Sequence, residues 1–264
     1  QKTAYEIRNC DWSSDVCSSD LGLDRSTHLN MERKLVDSAD EVVVVSDTLA
    51  ERIVAMGREP TLLTHGVDLD RWQDCVPTPN LLDSKPLPRI VFWGVVDQRM
   101  DVDWLRSLAK ALPNASLVLI GPHNNPHPEL LDIPGVHLEG PTDFANLPSI
   151  ARAADVLIMP YADLPVTQAM QPLKLKEYLA TGKPVVVRDL PATRLWKDCC
   201  DVAETAEMFV ACVRKRLDEG VAVHQLDSRR RLAAESWAAK AAQLESTLFP
   251  QALSQRSATR SVCG

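Results

Sequence analysis

The sequence is poor in several features that would point to particular functions. Its seven cysteines (Cys10, Cys17, Cys75, Cys199, Cys200, Cys212 and Cys263) form no CxxC pair, and its six histidines pair with no other ligand at zinc spacing. That pattern excludes a zinc finger or a disulfide scaffold and fits unpaired thiols in a reducing compartment, which predicts a cytoplasmic protein. No apolar run approaches the roughly 18 residues that a membrane helix needs; the longest, such as 42–45 and 117–120, are strand-sized. Basic residues do not gather into long blocks and the net charge is -7, so an extended nucleic-acid-binding surface is excluded. Low-complexity tracts and internal repeats are missing too. What remains is a 264-residue chain with 45% hydrophobic residues, ample for a buried core.

Residues 11–21 read DWSSDVCSSDL, which resembles the translation of a common short-read sequencing adapter rather than a protein segment. Gln1–Leu21 are therefore read as an artefactual leader and set aside. The acidic balance survives their removal. If coding sequence was joined to adapter near Gly22, the natural protein extends further upstream and the chain is a fragment.

From Gly22 a polar helical stretch runs to about Ser38. The β-branched run from Glu41 to Ser46 predicts a buried strand, Ser46 or Asp47 caps a helix that ends at Gly57, and a short strand at 61–64 leads into a turn at 65–68. Cys75 to Pro88 carries Pro77, Pro79, Pro86 and Pro88 with little periodicity and reads as a linker.

Beyond Arg89 the pattern becomes regular. Apolar strand-type runs at 90–93, 117–120, 136–138, 156–159 and 184–187 alternate with helical patterns at 102–112, 144–154 and 173–180. Strands apolar on both faces, separated by helices, predict an α/β fold with a doubly wound, Rossmann-like parallel sheet. In such a sheet ligands bind beyond the carboxyl ends of the strands, so the loops after Trp93, Ile120, Leu138 and Met159 carry the interest. Residues 205–219 and 228–248 read as two terminal helices, with the Arg229, Arg230, Arg231 run on a solvated face. Residues 251–264 are polar and read as a disordered tail.

The most informative segment is 159–187. A strand ends, a loop follows, and Pro172 stands where the first turn of a helix tolerates proline. The amides of Leu173 and Lys174 at that helix start face an anion, because the helix dipole and unpaired N–H groups both favour negative charge. Lys174 adds a countercharge, and Glu177, near one turn further on, is placed to accept hydrogen bonds from a ribose diol. Gly182 ends the helix.

These residues carry a resemblance. PLKLKEYLATGKPVV is similar to the donor-site helix of GT-B-fold glycosyltransferases of the family 4 and group 1 type, and AADVLIMPY to the strand before it. HGVD at 65–68 resembles the turn that introduces the C-terminal domain of that family, and VFWGVVDQRMD its first strand and glycine turn. The resemblance implies the C-terminal half of a GT-B fold and a nucleoside-diphosphate sugar as donor substrate, with no cofactor and no metal. It implies that the donor is held by Gly94, Arg99, His123, Pro172, Leu173, Lys174 and Glu177, with the diphosphate on the helix start and the ribose on Glu177. The acceptor, a sugar or a lipid-linked glycan, would be held by an N-terminal domain that also supplies the family's catalytic base, so no catalytic residue is assigned and the fragment alone is expected to be inactive. Because many acceptors in that family are lipid-linked, the resemblance also admits a peripheral position at a membrane. The implied organisation is 22–75 as the remnant of the N-terminal domain and crossover, 76–88 as linker, and 89–250 as the nucleotide-sugar-binding domain.

The chain departs from the family's pattern at three places. The first carboxylate of a Glu-x7-Glu pair falls on Ala169, and the usual Arg and Lys of the first glycine turn fall on Val95 and Met100. Donor sugar, base, acceptor and stereochemical outcome stay open. Each candidate also has a plainer reading: Glu177, Lys174 and Arg99 as surface charges, Gly94 as a turn glycine, and His123 as a loop histidine. Trp93 and Trp104 read as core. A nucleotide-sugar 2-epimerase and a non-catalytic nucleotide- or sugar-phosphate-binding module remain as alternatives.

Overall fold

The computed structural model describes residues 25–73 and 78–249; the leader, the tail and the start of the linker lie outside the described residues. The chain divides into two compact units, one reaching Gly66 and including Ala169–Gln171 and the residues from Glu235 on, the other Val67–Gln168 with Pro172–Ala234.

In the first unit, helix α1 (Arg25–Ser38) precedes strand β1 (Val43–Val44), helix α2 (Asp47–Ala55) and strand β2 (Thr61–Leu62), which pairs parallel with β1. Ser46 caps α2, its hydroxyl accepting from the amide of Leu49. Val36, Val44 and Ile53 form a small core with Val42, Leu49, Ala50 and Met56 packed against it. The strand expected over Glu41 to Ser46 is only two residues long, because β2 offers just two partners and Val43 is left exposed.

The second unit is built on a six-stranded, all-parallel sheet. Helix α3 (Leu69–Gln73) precedes the first of its strands, β3 (Arg89–Trp93). Then come helix α4 (Val102–Ala111), β4 (Ser116–Ile120), β5 (Val136–Glu139), helix α5 (Leu147–Ala153) and β6 (Val156–Met159). Helix α6 (Pro165–Ala169) and helix α7 (Leu173–Ala180) lead to β7 (Val185–Arg188), helix α8 (Pro191–Arg194) and β8 (Asp201–Ala203). The strand order β5-β4-β3-β6-β7-β8 is doubly wound, as the alternating pattern predicts. The middles of its central strands are apolar: Ile90, Val91, Phe92, Leu117, Val118, Leu119, Val156, Leu157, Ile158 and Val185–Val187 have no measurable exposure. Asp101 caps α4 by accepting from the amide of Trp104, which turns Trp104, Leu105, Leu108 and Ala109 into the core.

Three further sequence expectations are corrected. The helix expected over 144–154 starts with a 3-10 turn (Phe144–Asn146) before α5, where Pro148 sits in the first turn. The stretch after α9 (Ala206–Glu219) is α10 (Val223–Arg229), a 3-10 turn (Arg230–Glu235) and α11 (Trp237–Leu248) rather than one helix from Ser228, because Ser236 caps a fresh helix at the amide of Ala239. The arginine run is not one solvated face. Arg229 is buried and donates to the carbonyls of Cys199 and Lys183, both at 2.9 Å, while Arg231 lies over Trp196 and pairs with Asp198. Helical spacing turns Gln225 and Arg229 inward together. Helix α11 belongs to the first unit, whereas α3 belongs to the unit of the sheet.

Candidate functional site

The order reverses between β3 and β6, and there the two strands part. Strand β3 pairs with β4 over five residues, up to Trp93 opposite Ile120, but with β6 only at Ile90 and Val91. Phe92 and Trp93 thus run past their last partners in β6 and border an opening at the carboxyl end of the sheet, the place where doubly wound folds take ligands. The amide of Trp93, freed from β6, donates instead to the phenol oxygen of Tyr178 in α7 at 2.9 Å.

Gly94 and Gly121 end β3 and β4 side by side with φ of +143° and +144°. The amide of Gly94 donates to Ile120 O at 2.8 Å, and a Cβ on Gly121 would lie 2.0 Å from Gly94 O. Only glycine accepts both the backbone angle and the approach.

Helix α7 starts at the same opening. Pro172 caps it without a side-chain hydrogen bond, leaving the amides of Leu173 and Lys174 as the donors that a helix start leaves without intrahelical partners. Leu173 is exposed and Pro172 buried. Lys174 folds back over Gly94: a Cβ on Gly94 would fall 2.4 Å from Nζ and 2.6 Å from Cε. The ammonium donates to the phenol of Tyr161 and lies over the rings of Phe92 and Tyr161, 5.0 and 5.2 Å from their centroids.

Glu177 is 8% exposed, so it is not a surface carboxylate. Burial raises its pKa, opposed by a hydrogen bond from Trp93 and by the charge of Lys174. That bond comes from the Trp93 indole Nε1 at 3.4 Å. Trp93 is fixed in turn by Trp72, stacked at 5.5 Å and 9°, and by Tyr178, edge-on at 4.2 Å. The tryptophan expected in the core is buried, as is Trp104, but Trp93 also holds the carboxylate of the candidate site.

Gly94, Lys174 and Glu177 are thus joined through Trp93 and Tyr161. Arg99 is turned to Asp97, its Nε 3.0 Å from both carboxylate oxygens and its Nη2 2.8 Å from Oδ2, and its guanidinium lies 5.9 Å from the Tyr161 centroid. His123 is exposed in the loop after Gly121, bridged to Val96. Of the family positions that depart, Val95 is half-buried, Met100 is buried and Ala169 ends α6. Sequence reasoning missed Tyr161 and Tyr178. The first lies two residues past the end of β6 at the carboxyl end of the sheet, and the second stands four residues after Lys174 on the same helical face, so both could have been found from position. A concavity of about 520 Å³ lined by Trp72, Leu179, Lys183 and Arg229 lies at the other end of α7 and is a separate feature. Among the described residues no cluster of His, Cys, Asp and Glu side chains could hold a metal ion, and no helix is long and apolar enough to cross a membrane.

Comparison with known proteins bears on the family and the fold. The sequence model for glycosyl transferases group 1 matches residues 87–219, the stretch that holds the whole sheet and α7. The chain is 30% identical over 172 residues to TuaH of Bacillus subtilis (strain 168), by name a teichuronic acid biosynthesis glycosyltransferase; the match covers 61% of this chain and 43% of TuaH, so the chain spans less than half of that relative. Among solved structures it is similar to Anabaena HepE in complex with UDP-glucose (TM-score 0.68, 14% identity, 86% of this chain and 68% of that one). It is also similar to sucrose-phosphate synthase from Thermosynechococcus elongatus (TM-score 0.66, 19% identity, 87% of this chain and 62% of that one). At these identities the structures speak for the fold, a GT-B glycosyltransferase architecture, and the sequence match speaks for the family. The chain belongs to the glycosyl transferases group 1 family.

Proposed function

We propose that the opening between β3 and β6 binds a nucleoside-diphosphate sugar and that the complete protein transfers its sugar to an acceptor. The observation that carries this reading is the convergence, above Gly94, of the Lys174 ammonium with the start of α7, one helical turn from the buried carboxylate of Glu177. The diphosphate meets the amides of Leu173 and Lys174 and the ammonium, while Glu177 accepts hydrogen bonds from the ribose hydroxyls. As the bond from the anomeric carbon to the diphosphate breaks, negative charge grows on the leaving group, and these fixed donors stabilise it. The UDP-glucose in the HepE complex supports the donor class. In this reading Arg99 serves the loop rather than the phosphates, since Asp97 already neutralises it. The chemistry needs no further cofactor, because the activating group is the diphosphate itself.

The acceptor, a sugar or lipid-linked glycan, is held by residues beyond this chain in a longer protein, a reading supported by the 43% coverage of TuaH. Residues 89–250 supply the donor side, the protein works in the cytoplasm or at the membrane face, and this chain alone transfers no sugar.

A thermal-shift panel with UDP, GDP and their sugars tests the donor reading. Stabilisation by at least one of them, lost in Glu177→Ala, is expected; no stabilisation by any member overturns it. Sugar transfer by residues 22–264 would refute the need for an acceptor-binding half.

A further inference from the structure

Tyr161 is 1% exposed and immobilised from several sides. It forms an antiparallel bridge with Met100, its carbonyl accepts from Arg188 Nη1 at 3.2 Å, and the next amide, of Ala162, donates to Arg99 O at 2.7 Å. Its ring meets Phe92 edge-on at 5.9 Å and 88°. The phenol is thus a fixed post in the rim of the opening. Lys174, by contrast, carries a flexible four-carbon stem with much rotamer freedom, and an untethered stem of that kind extends into water. Here its tip is tied to the post by the hydrogen bond to the Tyr161 oxygen and by the two ring faces, and among the described residues its nearest partners are these aromatic groups, with the charge of Glu177 acting on it from one helical turn away.

Two consequences follow from the tether. The ammonium is held by a neutral phenol rather than a paired carboxylate, whereas the guanidinium of Arg99 is already paired with Asp97. Of the three N–H donors on Nζ, one is spent on the phenol and two remain for phosphate oxygens.

We propose that Tyr161 is a positioning residue: by holding the Lys174 ammonium over Gly94 it gives the site its preference for a diphosphate over a monophosphate. This rests on the donor-site reading above. One phosphate is met by the first-turn amides of α7, and the second is the one that needs the cation.

The test is titration calorimetry with UDP, UMP, GDP and GMP on the wild type, Tyr161→Phe, Lys174→Met and the double variant. Tyr161→Phe keeps the ring and its cation-binding face and removes only the hydroxyl. Whichever diphosphate the wild type prefers should bind about tenfold more weakly to Tyr161→Phe, the size expected for a hydrogen bond that orients a charged group, with its monophosphate changed less than threefold. Lys174→Met should show the same selective loss, and Tyr161→Phe should add nothing in the Lys174→Met background. An unchanged diphosphate affinity in Tyr161→Phe, an equal loss for both nucleotides, or a loss that persists without Lys174 overturns the role of Tyr161 while leaving the donor site standing. A wild type that binds none of the four removes the donor reading and this inference with it. Should Tyr161→Phe fail to fold, Lys174→Met alone decides: a loss of monophosphate binding as large as that of diphosphate overturns the proposal.

Discussion

The amide of Trp93 and the phenol of Tyr178 form a hydrogen bond that joins strand β3 to helix α7, in the place where β6 would have supplied the next partner. Tyr178 is fully buried, and burial pushes its pKa well above the usual phenol range, so it stays a neutral acceptor. Tyr178→Phe leaves that amide buried and unpaired, which should cost about 1–3 kcal/mol of stability. Urea denaturation measures it; a loss well below that range would mean that another acceptor takes over.

Glu177 links stability and binding to pH with opposite signs. Its folded pKa is raised chiefly by burial, so the folded state holds the proton more tightly than the unfolded chain. Below the ordinary carboxyl pKa the group is neutral in both states and costs nothing; as pH rises from that value through the elevated one, the penalty for a buried charge develops in full. Glu177→Gln should therefore melt at the same temperature as the wild type in acid and at a higher one at neutral pH. Nucleotide affinity should run the other way, strengthening in the wild type over the same window as the carboxylate ionises. Melting curves that stay parallel across pH would contradict this linkage.

The paired glycines separate two kinds of damage. Gly121→Ala meets both a positive φ and the carbonyl of Gly94, backbone that cannot swing aside, whereas Gly94→Ala meets a positive φ and the movable end of Lys174. Strained backbone of this sort costs on the order of 1–3 kcal/mol, and overpacking adds a similar amount. Gly121→Ala should be the less stable of the two by urea midpoint. Gly94→Ala, by displacing the ammonium, should lose more nucleotide affinity than stability explains, and an affinity equal to that of the wild type would refute the placement of Lys174.

Arg229 and Arg230 are adjacent and should behave differently. Arg229→Ala strips the carbonyls of Cys199 and Lys183 of a donor, at on the order of 1–3 kcal/mol each where no water replaces it. Arg230→Ala removes an exposed pair with Asp227 and should stay within about 0.5 kcal/mol of the wild type. Equal stabilities for the two variants in chemical denaturation would count against the buried role.

Cys199 and Cys200 are buried, and burial pushes their thiols up to about 11 and about 12. Since the thiolate is the nucleophile, both should resist iodoacetamide at pH 8 in the folded protein and react on denaturation. Mass spectrometry of the alkylated peptides reads this directly; fast labelling of either in native buffer would show that the segment opens.

The β-branched runs of β3, β4, β6 and β7 made the sheet readable from the sequence, because strands buried on both faces leave no polar alternation to confuse them. Pro172 and Gly182 likewise marked α7. Strand β8 was not readable: it is three residues long, begins with Asp201 and owes its existence to pairing with β7. Of the candidate site, Gly94, Lys174 and Glu177 could be picked out by residue type and helical position. Which cation remains free for a ligand could not, since the neutralisation of Arg99 by Asp97 and the tether from Lys174 to Tyr161 depend on side-chain directions that spacing does not fix. The same limit hid Arg229 within a run of three arginines.

The near-parallel indoles of Trp72 and Trp93 give the molecule an internal optical gauge. Rings stacked at 5.5 Å couple their electronic transitions, so the strong indole band of the far-ultraviolet circular dichroism should carry an exciton signature that either Trp→Phe exchange abolishes. Because the Trp93 indole also grips Glu177, any occupant that pulls on that carboxylate will register as a change in colour-resolved ellipticity, with no dye or label attached.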